Sequence, residues 1–130
     1  KMVSVNTAVE IDLTGQVCSE SVGHLELSGV GGAWETHVGA QRSIAGKGII
    51  AMPSRTQSTK KQSVSKIVSE LKPGAKVTIS RNDIDYVVTE YGVAKLRGKS
   101  VSQRVKMMID LAHPEYREEL KRAAREFRYI

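Results

Sequence analysis

Three glycines within four positions, in the run Ser28-Gly29-Val30-Gly31-Gly32, constrain this chain more than any other stretch. Without Cβ atoms, Gly29, Gly31 and Gly32 can take positive φ and let another molecule approach main-chain N–H groups. The residues that follow suit a helix opening at Ala33. Its first amides would lack intrahelical partners and carry the partial positive charge of the helix end, a good setting for an oxyanion or phosphate. A plain reading stands beside this one, in which the glycines only make a tight strand-to-helix turn.

The remaining pattern alternates strands with helices. Val3, Val5, Thr7, Val9, Ile11 and Leu13 share one parity, which predicts a half-buried strand with Glu10 and Asp12 on its polar face. Two carboxylates on one face can do acid–base work, although an ordinary polar strand face explains them as well. Thr14-Gly15 turns the chain, and Gln16 to Glu20 reads as a hairpin partner. Ala33 to Ser43 reads as a helix ending near Gly46. Gly48 to Met52, stopped by Pro53, suits a strand buried on both faces of a parallel or mixed sheet. Ser54 to Ser63 is polar and reads as a surface loop, while Val64 to Leu71 fits a strand or a short helix equally. Lys72-Pro73-Gly74 is a turn signal, Lys76 to Ser80 alternates like a strand, Tyr86 to Thr89 is another, and Val93 to Leu96 reads as a helical turn. Ser100 or Ser102 caps an amphipathic helix carrying Val101, Val105, Met108, Ile109 and Ala112. It stops at His113-Pro114, and a last helix from Glu115 to about Arg128 buries Tyr116, Leu120, Ala123, Ala124 and Phe127. The class is α/β.

Composition narrows the function classes. A chain of 130 residues is one domain at most, and its opening within an alternating pattern reads as part of something longer. No apolar run is long enough to span a bilayer, nothing resembles a signal peptide, and the one cysteine, Cys18, suits a reducing, cytoplasmic setting. The net charge of +6 would suit an anionic partner, but 5% aromatic residues leave little stacking surface for single-stranded nucleic acid. His24, His37 and His113 are far apart with no second ligand at metal spacing, so no metal site is expected. Walker, Rossmann and nucleophile-elbow motifs are missing.

With those residues in place, the chain resembles the C-terminal domain of the acetyl-CoA hydrolase/transferase family, which includes 4-hydroxybutyrate, butyrate–acetate and acetate CoA-transferases. The resemblance runs nearly end to end. It is carried by Asn6 to Val17, Ser28 to Gly32, Gly48 to Ser54, Ser80 to Asp83 with Asp85 to Gly92, Leu96 to Ser100, and His113 to Leu120, in the family's order.

The resemblance implies a three-layer α/β sheet with flanking helices, present here as a partial domain over residues 1–130. It also implies a ping-pong reaction in which a glutamate carboxylate attacks an acyl-CoA, holds CoA as a thioester and passes it to a short carboxylic acid. Amides of the glycine turn would supply the oxyanion donors, Gly31 first and Gly32 next. Gly29, Val30, Gly31 and Lys47 are the expected coenzyme A contacts, with Arg55, Lys60 and Lys61 as further phosphate-contact candidates. Coenzyme A is expected as substrate, with no permanently bound cofactor. The family's catalytic glutamate lies upstream of the matched region, and Glu10, Glu20 and Glu90 do not sit in its motif. The expected partners are therefore acyl-CoA, a short carboxylate, the missing N-terminal part and, in a homo-oligomer such as a homodimer, a second copy. Ala33 to Val38 departs from the family pattern after the glycines, which keeps a hydrolase and a non-catalytic structural or basic binding module as alternatives.

Overall fold

The computed structural model describes residues 1–57 and 63–130. The elements in order are β1 (Val3–Asn6), β2 (Glu10–Asp12), β3 (Val17–Cys18), β4 (Ser21–Val22), β5 (Leu25–Glu26), α1 (Ala33–Arg42), β6 (Lys47–Ala51), β7 (Ile67–Val68), β8 (Tyr86–Thr89), β9 (Gly92–Lys95), α2 (Val101–Leu111) and α3 (Pro114–Glu126). A four-stranded sheet runs β1-β6-β8-β9, parallel except for the β8–β9 hairpin. A three-stranded sheet has β2 at its centre, antiparallel to β3 and parallel to β7, and β4 pairs with β5 alone. Helices flank the sheets, giving a mixed α/β domain.

The helices form where local chemistry starts and stops them. In α2 the Ser100 hydroxyl accepts from the Gln103 amide while the Gln103 side chain accepts from the Ser100 amide, so both orphan donors are satisfied. The buried stripe of α2 is Val105, Met108, Ile109 and Leu111. In α3, Pro114 takes the first helical position and the His113 Nδ1 accepts from the Glu115 amide. Leu120 and Ala124 bury, but Phe127 stays partly exposed past the helix end. The core joins Ile11, Leu13, Ile50, Ile67, Ile79 and Leu96 to α2, each fully buried side chain contributing about 1.5–3 kcal/mol.

Several expectations are corrected. The predicted strand from Val3 to Leu13 is two strands in different sheets, because Thr7 to Val9 leave the first sheet and reset the alternation. Ile11 and Leu13 are buried as expected, whereas Val3 and Val5 are exposed and Ser4 is buried. Glu10 and Asp12 are buried too. Val93 to Leu96 is no helical turn: Gly92 to Lys95 is β9, and its pairing with β8 satisfies amides and carbonyls that a lone turn would leave to water. Val64 to Leu71 resolves to the short strand β7, and of Lys76 to Ser80 only Ile79 bridges, to Val17. In β6, Gly48 and Ile50 are buried while Ile49 and Ala51 are half-buried, so only one face is fully covered.

Helix α1 lies against β1 and β6 so closely that glycine is needed beneath it. A Cβ on Gly48 would sit 2.8 Å from the His37 carbonyl oxygen and 2.9 Å from its ring. The expected consequence is that Gly48→Ala costs about 1–3 kcal/mol, the usual range for overpacking a tight core, read as a lower midpoint in urea unfolding; an unchanged midpoint would show that α1 can shift freely.

Candidate functional site

The glycine turn sits between the β4–β5 hairpin and α1. The amides of Leu27 and Ser28 donate to the Glu20 carbonyl at 2.8 and 3.3 Å, and the Ser28 hydroxyl donates to the Gly29 carbonyl at 2.9 Å. Gly31 has φ of +64°, a left-handed conformation that costs other residues about 1–2 kcal/mol. Gly32 caps α1 with no side-chain partner. Among the described residues, no acceptor meets the backbone amides from Gly29 to Glu35. A Cβ at Gly29, Gly31 or Gly32 would meet nothing within 4 Å, so the chain itself does not require bare backbone at Gly29 or Gly32. The turn opens outward, and none of the three described cavities includes it. Leu25, Leu27 and Val30 around it are 66%, 58% and 64% exposed.

Side chains of α1 hold the turn in place. Trp34 Nε1 donates to the Asp83 carboxylate at 2.8 Å, and Gln41 Nε2 donates to the Asp83 carbonyl at 2.6 Å. The Thr36 hydroxyl donates back to the Gly32 carbonyl at 3.0 Å and accepts from Asn6 Nδ2 at 3.2 Å. His37 is fully buried; its Nε2 accepts from the Asp85 amide at 3.1 Å, and the Asp85 carboxylate accepts from the Gly48 amide at 3.2 Å. This places the imidazole proton on Nδ1, which has no acceptor among the described residues.

The other candidates are distributed differently. Gly29, Val30, Gly31 and Gly32 form one continuous surface, but Lys47 stands at the far end of α1, where its amide donates to the Met2 carbonyl at 3.0 Å. A ten-residue helix of about 15 Å separates the two. Arg55 is committed to Glu115 and Ser63, at 3.3 Å each, and Lys60 and Lys61 lie outside the described residues. The carboxylate pair of β2 is structural. Asp12 accepts from the amide and hydroxyl of Thr14 and the amide and side chain of Gln16, at 2.6 to 3.0 Å. Glu10 accepts from the Lys72 amide at 3.0 Å. Burial works against the Glu90 carboxylate, yet the Ser54 amide at 2.7 Å, its own amide, the nearby Ser54 hydroxyl and the charge of His113 together outweigh it and the net pKa is lowered, so Glu90 is poorly suited to donate a proton. The Cys18 thiol is buried and donates to the Ser21 carbonyl at 3.2 Å. Among the described residues no group of three or more His, Cys, Asp or Glu side chains could hold a metal, and no helix is long and apolar enough to cross a membrane.

Sequence reasoning missed the His37–Asp85–Gly48 cluster and Arg104, whose guanidinium donates to carbonyls of three separate segments. No spacing signal marks either, because their partners are backbone groups distant in sequence.

The chain is similar to known proteins over nearly its whole length. Residues 1–124 match the model of the acetyl-CoA hydrolase/transferase C-terminal domain. The succinyl-CoA:cyclohexane-1-carboxylate CoA transferase of Geobacter metallireducens is 50% identical over 129 residues, covering 99% of this chain and 29% of that protein. The 4-hydroxybutyrate coenzyme A transferase of Clostridium kluyveri is 53% identical over 119 residues, covering 92% and 27%. The crystal structure of RipA from Yersinia pestis superposes with a TM-score of 0.88 at 38% identity, over 98% of this chain and 28% of that one. The chain thus spans less than a third of the length of these relatives.

Burial lowers the His37 pKa, against the attraction of Asp85 and then Asp83. The folded-state value therefore lies below the unfolded one of about 6.5, and the unfolded chain binds more protons in between. The contribution to stability is complete above that pH and lost as pH falls toward the folded value, with a slope of at most about 1.4 kcal/mol per pH unit. Urea titrations across pH 5 to 8 should show this slope in the native chain and lose it in His37→Gln, which keeps an acceptor but does not titrate; the same slope in both would assign it elsewhere.

Proposed function

This chain belongs to the acetyl-CoA hydrolase/transferase C-terminal domain family, and from that premise we propose that it supplies the oxyanion-binding turn of an enzyme that moves CoA from an acyl-CoA to a short carboxylic acid. The observation that carries the reading is the run of unpaired amides from Gly29 to Glu35 at the opening of α1, with no side chain shielding it. When a nucleophile attacks a thioester carbonyl, negative charge grows on the oxygen. Donors fixed in advance stabilise that charge without reorganising. Gly31 N–H and Gly32 N–H are the assigned donors, and the partial positive charge at the start of α1 adds to them.

The nucleophile comes from outside this chain. The fully buried carboxylates Glu10, Asp12 and Asp85 already accept backbone hydrogen bonds, whereas the buried Oε2 of the half-buried Glu20 accepts none among the described residues. Attack by a glutamate of the same enzyme would form an acyl–glutamyl anhydride and release CoA thiolate. The thiolate would return to the glutamyl carbonyl, giving a glutamyl-CoA thioester and expelling the acyl group as its carboxylate, and a second carboxylate would then accept the CoA by the reverse steps and free the glutamate. The CoA-transferase names of the Geobacter and Clostridium relatives support this substrate class for the whole protein. Coenzyme A enters as substrate, and the N-terminal part of the enzyme completes the site, with a homo-oligomer as the proposed assembly.

Gly31→Ala and Gly32→Ala test this in the protein that carries the domain. A methyl at either position meets nothing in the fold, so Gly32→Ala should melt within about 0.5 kcal/mol of the parent and Gly31→Ala should lose about 1–2 kcal/mol through its positive φ. Both keep the N–H but put a methyl beside amides that the thioester oxygen must approach. Both should lower kcat/KM for CoA exchange between a short acyl-CoA and acetate, by up to about 100-fold, the loss that follows removal of one oxyanion donor. Undiminished exchange in both variants would remove the turn from the mechanism; neither transfer nor hydrolysis of any short acyl-CoA by the parent would remove the reaction itself.

A further inference from the structure

Next to the Asp83 that Trp34 holds, an open cavity of about 180 Å³ lies where the Asp12–Gln16 turn, the Ser80–Asp83 turn and the start of α2 converge. It is lined by Thr14, Arg81, Asn82, Lys99, Val101 and Arg104. Three of these side chains are cationic and none is acidic. Arg104 is locked in place: its Nε donates to the Lys99 carbonyl at 3.2 Å, and its Nη1 donates to the carbonyls of Arg81 at 2.7 Å and Thr14 at 3.1 Å. Neutral carbonyls orient the guanidinium and leave its charge uncompensated. Its Nη2 has no acceptor among the described residues, and none of the three cations is ion-paired there. Burial, and after it the like charge of Arg81, lower the Arg104 pKa, which is how an unneutralised cluster behaves. The amides of Val101 and Ser102, at the open end of the eleven-residue α2, also find no acceptor among the described residues. Asp83, the carboxylate closest in sequence to Arg81, is occupied by Trp34 and Ser80.

We propose that this cavity binds a phosphate ester or pyrophosphate group, with Arg81, Lys99 and the free edge of Arg104 as its charged donors and Asn82 and the α2 amides completing the cradle. A phosphate dianion matches both features of the cavity, a fixed guanidinium edge and a helix opening beside flexible cations. That chemistry has two sources: the phosphate end of coenzyme A, an arm that rests on the transferase reading above, and a separate nucleotide or pyrophosphate.

The test is calorimetric titration of the whole protein with pyrophosphate, ADP and coenzyme A, compared with the double variant Arg81→Gln, Lys99→Gln. Arg104 is left intact because it ties three segments together, and the two exposed substitutions should leave the melting temperature unchanged. Pyrophosphate and ADP should bind the parent, more weakly as salt rises, and lose about tenfold or more in affinity in the variant. A parallel loss for coenzyme A assigns the cavity to its phosphate end; a loss confined to pyrophosphate and ADP assigns it to a separate ligand. No binding of pyrophosphate or ADP to the parent, or equal binding by parent and variant, overturns the site. Absence of acyl transfer would fail the transferase reading alone, since the pyrophosphate titration does not depend on it.

Discussion

The close seating of α1 on β6 is the contact on which the rest of the candidate site depends. Gly46 and Gly48 let the helix come near enough that added Cβ atoms would overlap the carbonyls of Ala40 and His37. His37 fills the seam, joined through the Asp85 amide to the approach of β8, while Asp85 holds the Gly48 amide. Burying an imidazole costs free energy unless it stays neutral and hydrogen-bonded, and here it is neutral with one nitrogen satisfied. The helix is thereby fixed along its length. Trp34 and Gln41 extend the same attachment to the backbone and carboxylate of Asp83. Because α1 cannot slide, the amides at its opening have a defined direction, which an oxyanion site needs and a mobile glycine loop would not provide.

The carboxylates show how structure and chemistry are divided in this chain. Four hydrogen bonds converge on Asp12 from Thr14 and Gln16. Each bond to a charged acceptor contributes about 1.5–3 kcal/mol net, so Asp12 is held static and has no freedom to act as a nucleophile. Glu10 and Asp85 are tied to backbone amides in the same manner. Among the described residues, what is left unspent is the run of backbone amides at Gly29 to Glu35, several basic side chains, and the single buried atoms Glu20 Oε2, His37 Nδ1 and Ser54 Oγ. On the transferase reading, this domain stabilises an anion and the group that attacks the carbonyl is supplied from elsewhere in the enzyme.

How much of this was legible depended on whether the cause was local. Helices α2 and α3 could be read because their signals are adjacent in sequence: Ser100 with Gln103, and His113 with Pro114. The glycine turn could be read because positive φ at Gly31 is a single-residue requirement. The strand from Val3 was misjudged because alternation carries no mark of the break at Thr7, and the two halves belong to different sheets. β9 was missed because Gly92 to Lys95 is too short to show a period and takes its identity from β8. Lys47 joins the glycines in the sequence only through the family resemblance, and the length of α1 sets it about 15 Å from them. The roles of His37 and Arg104 come from carbonyls and amides many residues away, which no spacing rule encodes.

Exposure is the remaining physical question about the turn. In water, two unit charges 4 Å apart interact by about 1 kcal/mol, against about 4 kcal/mol at the effective dielectric of a protein surface. Amides facing bulk solvent are therefore weak stabilisers of an oxyanion, however well they are aimed. The apolar side chains of Leu25, Leu27 and Val30, more than half exposed beside the turn, offer a surface from which a covering element would expel water. On the transferase reading, the element that brings the nucleophile also closes this surface, so attack and the strengthening of the amide donors occur together. The site then becomes effective only when the rest of the enzyme is in place, and the openness of the turn in this domain follows from its need to receive both a thioester and its partner.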